Sequence, residues 1–136
     1  MNKLETKSLV VKQSTIPNAG NGLFAKRFFK KDSIIGYFKG NIISNEEVNS
    51  INDSGHIKRY YLVELDDYKT LDTYDYQSPV IYANDAEGLT KIDGFANNSS
   101  IGITKNRSRA YIYATKDIPV GSEIFLEYGE DYWLNL

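Results

Sequence analysis

Short apolar runs separated by turn residues recur along the chain and predict a protein built mostly from β-strands. The runs that we interpret as strands cover residues 9–11, 34–38, 42–43, 60–65, 70–72, 110–114 and 123–127. Glycine, proline, asparagine and aspartate mark the breaks, most densely in residues 14–22 and 116–121. Residues 78–85 are too few for periodicity to distinguish strand from helix, and residues 93–100 are predicted as a loop. The pattern predicts a mostly β fold with several short strands in small sheets.

One short helix is predicted between the third and fourth of these strands. Ser44 and Glu47 have the spacing of a capping box, so we expect a helix from Asn45 to about Ile51. A turn at residues 52–55 follows it. The expected fold class therefore contains one or two short helices beside the strands.

Composition limits the chemistry that the chain can perform. Its 136 residues predict a single domain spanning residues 1–136. Cysteine is absent, which excludes disulfides and thiolate zinc sites within the chain, and His56 is the only histidine, which excludes metal sites built from several histidines. The net charge of -2 provides no field for non-specific binding of nucleic acid, so we expect no direct nucleic-acid partner.

The sequence also lacks the features of membrane and secreted proteins. It has no apolar run near the roughly 18 residues that a membrane-spanning helix needs. The first five residues are polar and lack the apolar region of a secretory signal. We expect an intracellular protein without a membrane partner, located in the cytoplasm or in a nucleus, including that of a host.

Three short segments are candidates for carrying chemistry. Gly20-Asn21-Gly22 allows a tight turn whose backbone amides can approach a ligand closely. Asn84-Asp85 follows an apolar stretch, and Tyr128-Gly129 follows the last predicted strand. Each segment taken alone is also an ordinary turn signal, so the order of all three along the chain carries the interpretation.

In this order, the segments resemble the SET domain family of protein lysine methyltransferases, over nearly the whole chain from Ser8 to Trp133. The matching segments are Asn-Ala-Gly-Asn-Gly-Leu-Phe-Ala at 18–25, Tyr-Phe-Lys-Gly at 37–40, Tyr-Leu-Val-Glu-Leu-Asp at 61–66, Leu-Asp at 71–72, Ala-Thr-Lys-Asp-Ile at 114–118, Gly-Ser-Glu-Ile at 121–124 and Glu-Tyr-Gly at 127–129. The resemblance implies a SET fold with a C-terminal pseudoknot-like crossing and a core at about residues 8–133. It implies neither a pre-SET module nor a zinc-binding post-SET module.

The family's Asn-His-Ser segment has two candidate positions in this chain. Asn84-Asp85 follows Asp72 at the family's usual interval of about a dozen residues, with aspartate where relatives carry histidine. Residues 97–99 (Asn-Asn-Ser) then resemble the Pro-Asn-Cys that comes later in relatives. The alternative assigns the motif to residues 97–99 themselves, and the sequence leaves both assignments open.

The resemblance assigns roles to individual residues. The catalytic residues it implies are Tyr128, whose hydroxyl would orient the attacking amine, and Tyr61, a second tyrosine of the lysine channel. The residues implied to bind S-adenosylmethionine are Ala19, Gly20, Asn21, Gly22, Asn84, Asp85, Tyr128 and Trp133. The residues implied to line the substrate channel are Tyr61, Leu126 and Tyr132. No metal is implied.

The resemblance implies a methyltransferase that uses S-adenosylmethionine and acts on a lysine of a protein or peptide, such as a histone tail, with a homodimer as one expected assembly. A second interpretation is a SET-like module that binds cofactor or peptide with weak or no catalysis, because of the histidine-to-aspartate change. A third is a small β-rich peptide-binding module in which the motifs are coincidental turns. Intact Tyr128, Tyr61 and Gly20-Asn21-Gly22 favour the first over the second.

Overall fold

The computed structural model describes residues 4–76, 78–87 and 93–128, in which nine short strands form three sheets. The strands are β1 (Leu9–Gln13), β2 (Asn21–Ala25), β3 (Ile34–Tyr37), β4 (Asn41–Ser44), β5 (Leu62–Glu64), β6 (Lys69–Asp72), β7 (Ser99–Ile103), β8 (Ala110–Ala114) and β9 (Glu123–Ile124). The sheets have the orders β1-β2-β9, β3-β8-β7 and β4-β6-β5, and their ladders are antiparallel. The predicted mostly β fold of small sheets is confirmed.

The helix α1 (Asn45–Ser54) begins at the predicted capping box. The Ser44 hydroxyl accepts a hydrogen bond from the Glu47 amide at 3.3 Å, and the Glu47 carboxylate accepts one from the Ser44 amide at 3.4 Å. The helix runs further than predicted because Gly55, at φ 69°, supplies the left-handed residue that ends it. No helix in the described ranges is long and apolar enough to cross a lipid bilayer.

The predicted strand at 60–65 is wrong in its first part, where a 3₁₀ helix spans Ile57–Tyr61. The His56 ring caps this helix, because its Nδ1 accepts a hydrogen bond from the Lys58 amide at 3.0 Å. A local bond of this kind stabilises a helical turn in a segment whose composition favours a strand. A second 3₁₀ helix, Pro79–Tyr82, occupies the segment that periodicity left unassigned, and its initial proline suits a helix start.

Two strands lie where the sequence pattern predicts no strand. Four consecutive residues of β2, 22–25, are buried, so the segment lacks the alternation that marks a half-buried strand. The β7 strand, Ser-Ser-Ile-Gly-Ile, begins inside the predicted loop at 93–100 and is polar for a strand. Both strands exist because of pairing with distant segments, β2 with β1 and β9, and β7 with β8.

One large apolar core takes buried residues from all three sheets. Its largest side chains with no exposed surface are those of Leu23, Phe29, Ile112, Ile118 and Ile124. Phe29 and Ile118 also exchange two backbone hydrogen bonds, at 2.9 and 2.8 Å, which join two turns far apart in sequence. Ala83 and Leu126 belong to the same core, so the segments that carry the candidate site are anchored on it.

Residues 125–127 run as an extended segment between two earlier parts of the chain. The Leu126 amide donates to the Asn84 carbonyl at 2.8 Å, and the Glu127 amide donates to the Ser99 carbonyl at 3.2 Å. The bridges on both sides are parallel. The predicted strand at 123–127 is therefore a ladder only over β9, followed by this crossing, which fits the C-terminal crossing that the family resemblance implied.

An ion pair joins the first 3₁₀ helix to the third sheet and predicts a pH-dependent contribution to stability. Lys58 Nζ lies 3.1 Å from a carboxylate oxygen of Asp72, which is 7% exposed. The hydrogen bond to Asp72, and then its charge, raise the pKa of Lys58 above its ordinary value of 10.5. The contribution is thus fully present below pH 10.5 and is lost as the pH rises through the raised pKa.

We expect Lys58→Met to lower the free energy of unfolding at pH 7, with the difference from wild type shrinking above pH 10.5. Urea unfolding of both proteins between pH 7 and about pH 11 measures this difference. Lys105→Met, at an exposed residue of the turn between β7 and β8, is the control and should match wild type throughout. A Lys58→Met difference that does not change with pH would contradict the prediction.

Candidate functional site

The two glycines of Gly20-Asn21-Gly22 serve different purposes. Gly20 has φ +73°, a conformation that glycine adopts without strain, and a Cβ placed on it would meet no atom within 4 Å. Its carbonyl accepts a hydrogen bond from the Ser14 amide at 2.8 Å, which closes the loop before β2. Gly22 is buried, and a Cβ there would lie 2.3 Å from Glu123 Oε2. Gly20 thus provides the turn conformation beside open space, whereas Gly22, which has no Cβ, leaves room for the carboxylate of Glu123.

Glu123 holds this loop in place from the last strand. It is 6% exposed, and its carboxylate accepts hydrogen bonds from the Ser14 hydroxyl at 2.7 Å, the Thr15 amide at 2.8 Å and the Thr15 hydroxyl at 2.5 Å. The Ser14 hydroxyl in turn accepts a bond from the Ile16 amide at 3.1 Å. Sequence analysis missed this role, although a glutamate beside the apolar run 124–126 was a usable signal, since a buried carboxylate needs partners.

Asn84 connects the glycine turn to the C-terminal crossing. Its side-chain amide donates to the Asn21 carbonyl at 3.0 Å, across 63 positions of sequence. Its own carbonyl accepts the Leu126 amide, as described above. The structure therefore brings Asn21, Asn84 and Leu126 together.

Tyr128 is held at both ends by the segment 83–85. Its hydroxyl donates a short hydrogen bond to the Ala83 carbonyl, and its amide donates to Asp85 Oδ2 at 3.0 Å. The ring is half-buried and packs against the large core. Because the backbone and the hydroxyl are both anchored, the position of the ring is fixed relative to Asn84.

The second candidate asparagine segment binds protein groups on the other side of the crossing. Asn97 Nδ2 donates to Asp85 Oδ1 at 2.8 Å, and Asn97 Oδ1 accepts the Ala86 amide at 2.8 Å. Asn98 donates to the Glu123 carbonyl at 3.0 Å and accepts the Phe125 amide at 2.8 Å. Of the two candidates, Asn84 is the one whose side chain contacts the glycine turn.

A small apolar cluster lies against these segments. Ile16, Ala86 and Phe125 are buried in it, and Ala19 and Phe95 pack on them. The rings of Phe95 and Phe125 meet edge to face with centroids 5.8 Å apart. The three buried members come from the glycine loop, the segment after Asp85 and the crossing, so this cluster joins the parts of the site independently of their hydrogen bonds.

The remaining predicted site residues are less directly connected. The rings of Tyr61 and Tyr74 meet edge to face with centroids 5.3 Å apart. The backbone carbonyl of Tyr61 accepts hydrogen bonds from the Thr73 amide at 3.1 Å and from the Thr73 hydroxyl at 2.7 Å. Leu126 is 3% exposed and belongs to the core. The predictions for Tyr132 and Trp133 lie outside the described residues.

A groove of about 340 Å³ lies elsewhere, where β3 leads into β4. Its lining includes Phe38, Gly40, Leu71, Tyr76 and Arg109, and none of the predicted site residues is among its lining residues. This groove is therefore separate from the segments that the motifs bring together. The hydrogen bonds between the motifs define the candidate site instead.

The SET domain family model matches residues 20–129 of the chain. The match begins at the glycine turn and ends directly after Tyr128, so it includes Asn84 and the crossing segment. No curated protein matches the chain significantly. The family match covers most of the 136 residues and agrees with the small sheets and the single α-helix of the described residues. This chain therefore belongs to the SET domain family, whose members are generally protein lysine methyltransferases.

Proposed function

We propose that this protein transfers a methyl group from S-adenosylmethionine to a lysine side chain of a protein substrate, with histone tails as candidate substrates. The observation that carries the proposal is the meeting of three distant motifs. Asn84 binds the carbonyl of Asn21, and the segment 83–85 binds both ends of Tyr128. A turn for the cofactor and a tyrosine for the amine are thereby joined by a single short segment.

The residues at the glycine turn fit the methionine part of this cofactor. An amino acid moiety needs carbonyl acceptors for its ammonium group and amide donors for its carboxylate. The Ala19 carbonyl and the Gly20 amide form no hydrogen bond within the described residues, and the space beside Gly20 is open. The Asn84 side chain lies at the edge of the same turn. Ala19, Gly20, Asn21 and Asn84 would therefore hold the cofactor, which supplies an electrophilic methyl group on a sulfonium.

Tyr128 is suited to orient a neutral lysine amine. Lysine has an ordinary pKa near 10.4, so presenting its neutral form at pH 7 costs about 4–5 kcal/mol. Withdrawing the ammonium from water into an aromatic channel lowers its pKa and offsets part of this cost. The Tyr128 hydroxyl donates its only proton to Ala83, so toward a lysine N–H it acts as an acceptor. We assign it an orienting role, and not that of a strong base.

Local charge supports a lysine-bearing substrate. Three acidic residues lie around Tyr128. Glu127 precedes it in sequence, Asp85 accepts a hydrogen bond from its amide, and Glu87 is hydrogen-bonded to Asp85 through its own amide and to Asn97 through its carboxylate. Glu127 is exposed and follows Leu126 directly. An exposed carboxylate at this position would attract a cationic segment and raise its local concentration. Tyr61 and Leu126 are proposed to line the lysine channel, as the family resemblance implies.

The proposal is tested by incubating the purified protein with methyl-labelled S-adenosylmethionine and either core histones or a cell lysate. We expect label on lysine, identified by mass spectrometry of the modified peptide. Cofactor binding without transfer to any protein would favour a module that has lost catalysis. Absence of both binding and transfer would overturn the proposal.

Replacing Asn84 with alanine is expected to weaken cofactor binding about 5- to 10-fold, because the glycine turn loses a side-chain hydrogen bond worth roughly 1 to 1.5 kcal/mol. Titration calorimetry with S-adenosylmethionine measures the change. Asn45→Ala is the matched control, since Asn45 also donates to a backbone carbonyl, that of Asp67 at 2.8 Å, but does so at α1. Equal affinities of the two variants would contradict the proposed role of Asn84.

A further inference from the structure

With the family's Asn-His-Ser segment assigned to Asn84-Asp85, Asp85 takes the place of the histidine, and both oxygens of its carboxylate accept hydrogen bonds. Oδ2 accepts the Tyr128 amide at 3.0 Å. Oδ1 accepts Asn97 Nδ2 at 2.8 Å and the Glu87 amide at 2.9 Å. Three N–H donors from three different segments thus converge on one carboxylate.

Asn97 has a single orientation in this arrangement. Its side-chain Oδ1 accepts a hydrogen bond from the Ala86 amide at 2.8 Å, and its backbone amide donates one to Glu87 Oε2 at 2.8 Å. Turning the side-chain amide over would place Nδ2 against the Ala86 N–H, which is a contact between two donors. Asn97 Nδ2 must therefore point at Asp85, and position 85 must supply acceptors only.

A carboxylate meets this requirement, whereas an amide does not. Asparagine at position 85 would present one oxygen and one NH₂ group. With its oxygen toward Asn97 and Glu87, its NH₂ group would face the Tyr128 amide and that bond would be lost. The family's histidine has no pair of oxygens with which to bridge these donors.

We propose that Asp85 is a positioning residue for Tyr128, and that Asn97 fixes the carboxylate in the required orientation. The inference rests on the proposed function of Tyr128. Asp85 holds the backbone of Tyr128 while Ala83, two residues earlier, holds its hydroxyl. With the backbone contact gone, the ring pivots about the hydroxyl bond, and the amine that it orients moves away from the line of transfer.

The experiment compares Asp85→Asn, Asn97→Asp and the double variant. Asp85→Asn is expected to lower kcat about 10- to 100-fold, the scale of loss from a displacement of about 1 Å. The affinity for S-adenosylmethionine is expected to stay unchanged, because the cofactor contact that the family resemblance implies for residue 85 is made by its backbone. In the double variant, the carboxylate introduced at position 97 accepts from the NH₂ group introduced at position 85, whose oxygen can again face the Tyr128 amide. We therefore expect the double variant to recover part of the lost kcat.

Asp117→Asn is the control. Asp117 also accepts a backbone amide, that of Lys31 at 2.8 Å, on an exposed turn away from the site. This variant is expected to keep the wild-type kcat. It reports what the loss of one carboxylate–amide bond does to the protein without affecting Tyr128.

A structural readout separates this inference from the proposed function. In protein labelled with ¹⁵N-tyrosine, the Tyr128 amide signal is assigned by its disappearance in Tyr128→Phe. We expect its proton shift to move upfield in Asp85→Asn, as it leaves the carboxylate, and to return toward wild type in the double variant. If wild type transfers no methyl group, the proposed function fails, and these shifts still report whether Asp85 holds Tyr128.

Two outcomes would overturn the inference. The first is an Asp85→Asn protein with the kcat of Asp117→Asn and an unmoved Tyr128 amide signal. The second is a loss of kcat that comes with a proportional loss of cofactor affinity and no recovery in the double variant. In that case Asp85 acts on the cofactor site and not on Tyr128.

Discussion

Replacing Tyr128 with phenylalanine is expected to lower the rate of methyl transfer to lysine by about 100-fold, the scale of loss when a reacting group is misplaced by about 1 Å. The substitution removes the hydroxyl that binds the Ala83 carbonyl and would orient the amine. The ring, its packing on the core and the amide bond to Asp85 remain. We therefore expect little change in cofactor affinity and a loss of stability of about 1 kcal/mol.

Single-turnover transfer of labelled methyl measures this rate, and calorimetry measures cofactor binding. Tyr76→Phe is the matched control because its hydroxyl also donates a hydrogen bond, to Asn41 Oδ1 at 2.9 Å, outside the predicted site. The control should transfer at the wild-type rate. A Tyr128→Phe protein as fast as this control would remove Tyr128 from the proposed mechanism.

Replacing Glu123 with alanine is expected to have the largest effect on stability of the changes considered for the site. The substitution leaves the buried Ser14 hydroxyl without its acceptor, and it also removes the acceptor of the amide and hydroxyl of Thr15, an exposed residue. At about 1–3 kcal/mol for the buried hydroxyl left unpaired and about 0.5–1.5 kcal/mol for each of the two hydrogen bonds from Thr15, we expect a loss of about 2–6 kcal/mol in the free energy of unfolding.

The same substitution should weaken cofactor binding, because the Ser14 amide holds the Gly20 carbonyl at the start of the glycine turn. Glu123→Gln, which keeps the shape and one acceptor oxygen, should lie between alanine and wild type in both measurements. Urea unfolding and calorimetry provide the values, with Glu64→Ala, at an exposed carboxylate of β5, as the control. A Glu123→Ala protein as stable as this control would contradict the assigned role.

The elements with local causes were predictable from the sequence. The start of α1 was predictable because Ser44 and Glu47 lie three positions apart and bind each other directly. The strands β2 and β7 were not predictable from pattern, because their existence depends on partners that are distant in the chain or on burial of both faces. At 60–65, a cap from His56 prevailed over the strand propensity of the segment.

The site residues divide in the same way, into those that local motifs predict and those that depend on partners distant in the chain. The family motifs predicted Gly20, Asn84 and Tyr128 as site residues, and the structure brings the segments around them into contact. The residues that sequence analysis missed act through side chains whose partners are remote, as with Glu123 and Ser14 at a separation of 109 positions. Asn97 was predicted only as part of a motif, either the segment that resembles Pro-Asn-Cys or the alternative Asn-His-Ser, whereas its contacts give it a supporting position beside Asp85.

The crossing at residues 125–127 has a consequence for how the protein is made. During synthesis, residues 84 and 99 leave the ribosome before residues 125–127, the segment that pairs with both of them. The space between residues 84 and 99 therefore stays unfilled until the crossing segment emerges. During that interval Ile16 and Ala86, which Phe125 later covers, present apolar surface to water and to chaperones. The site is thus completed by a late insertion between two preceding segments, a non-local step of the kind that slows folding.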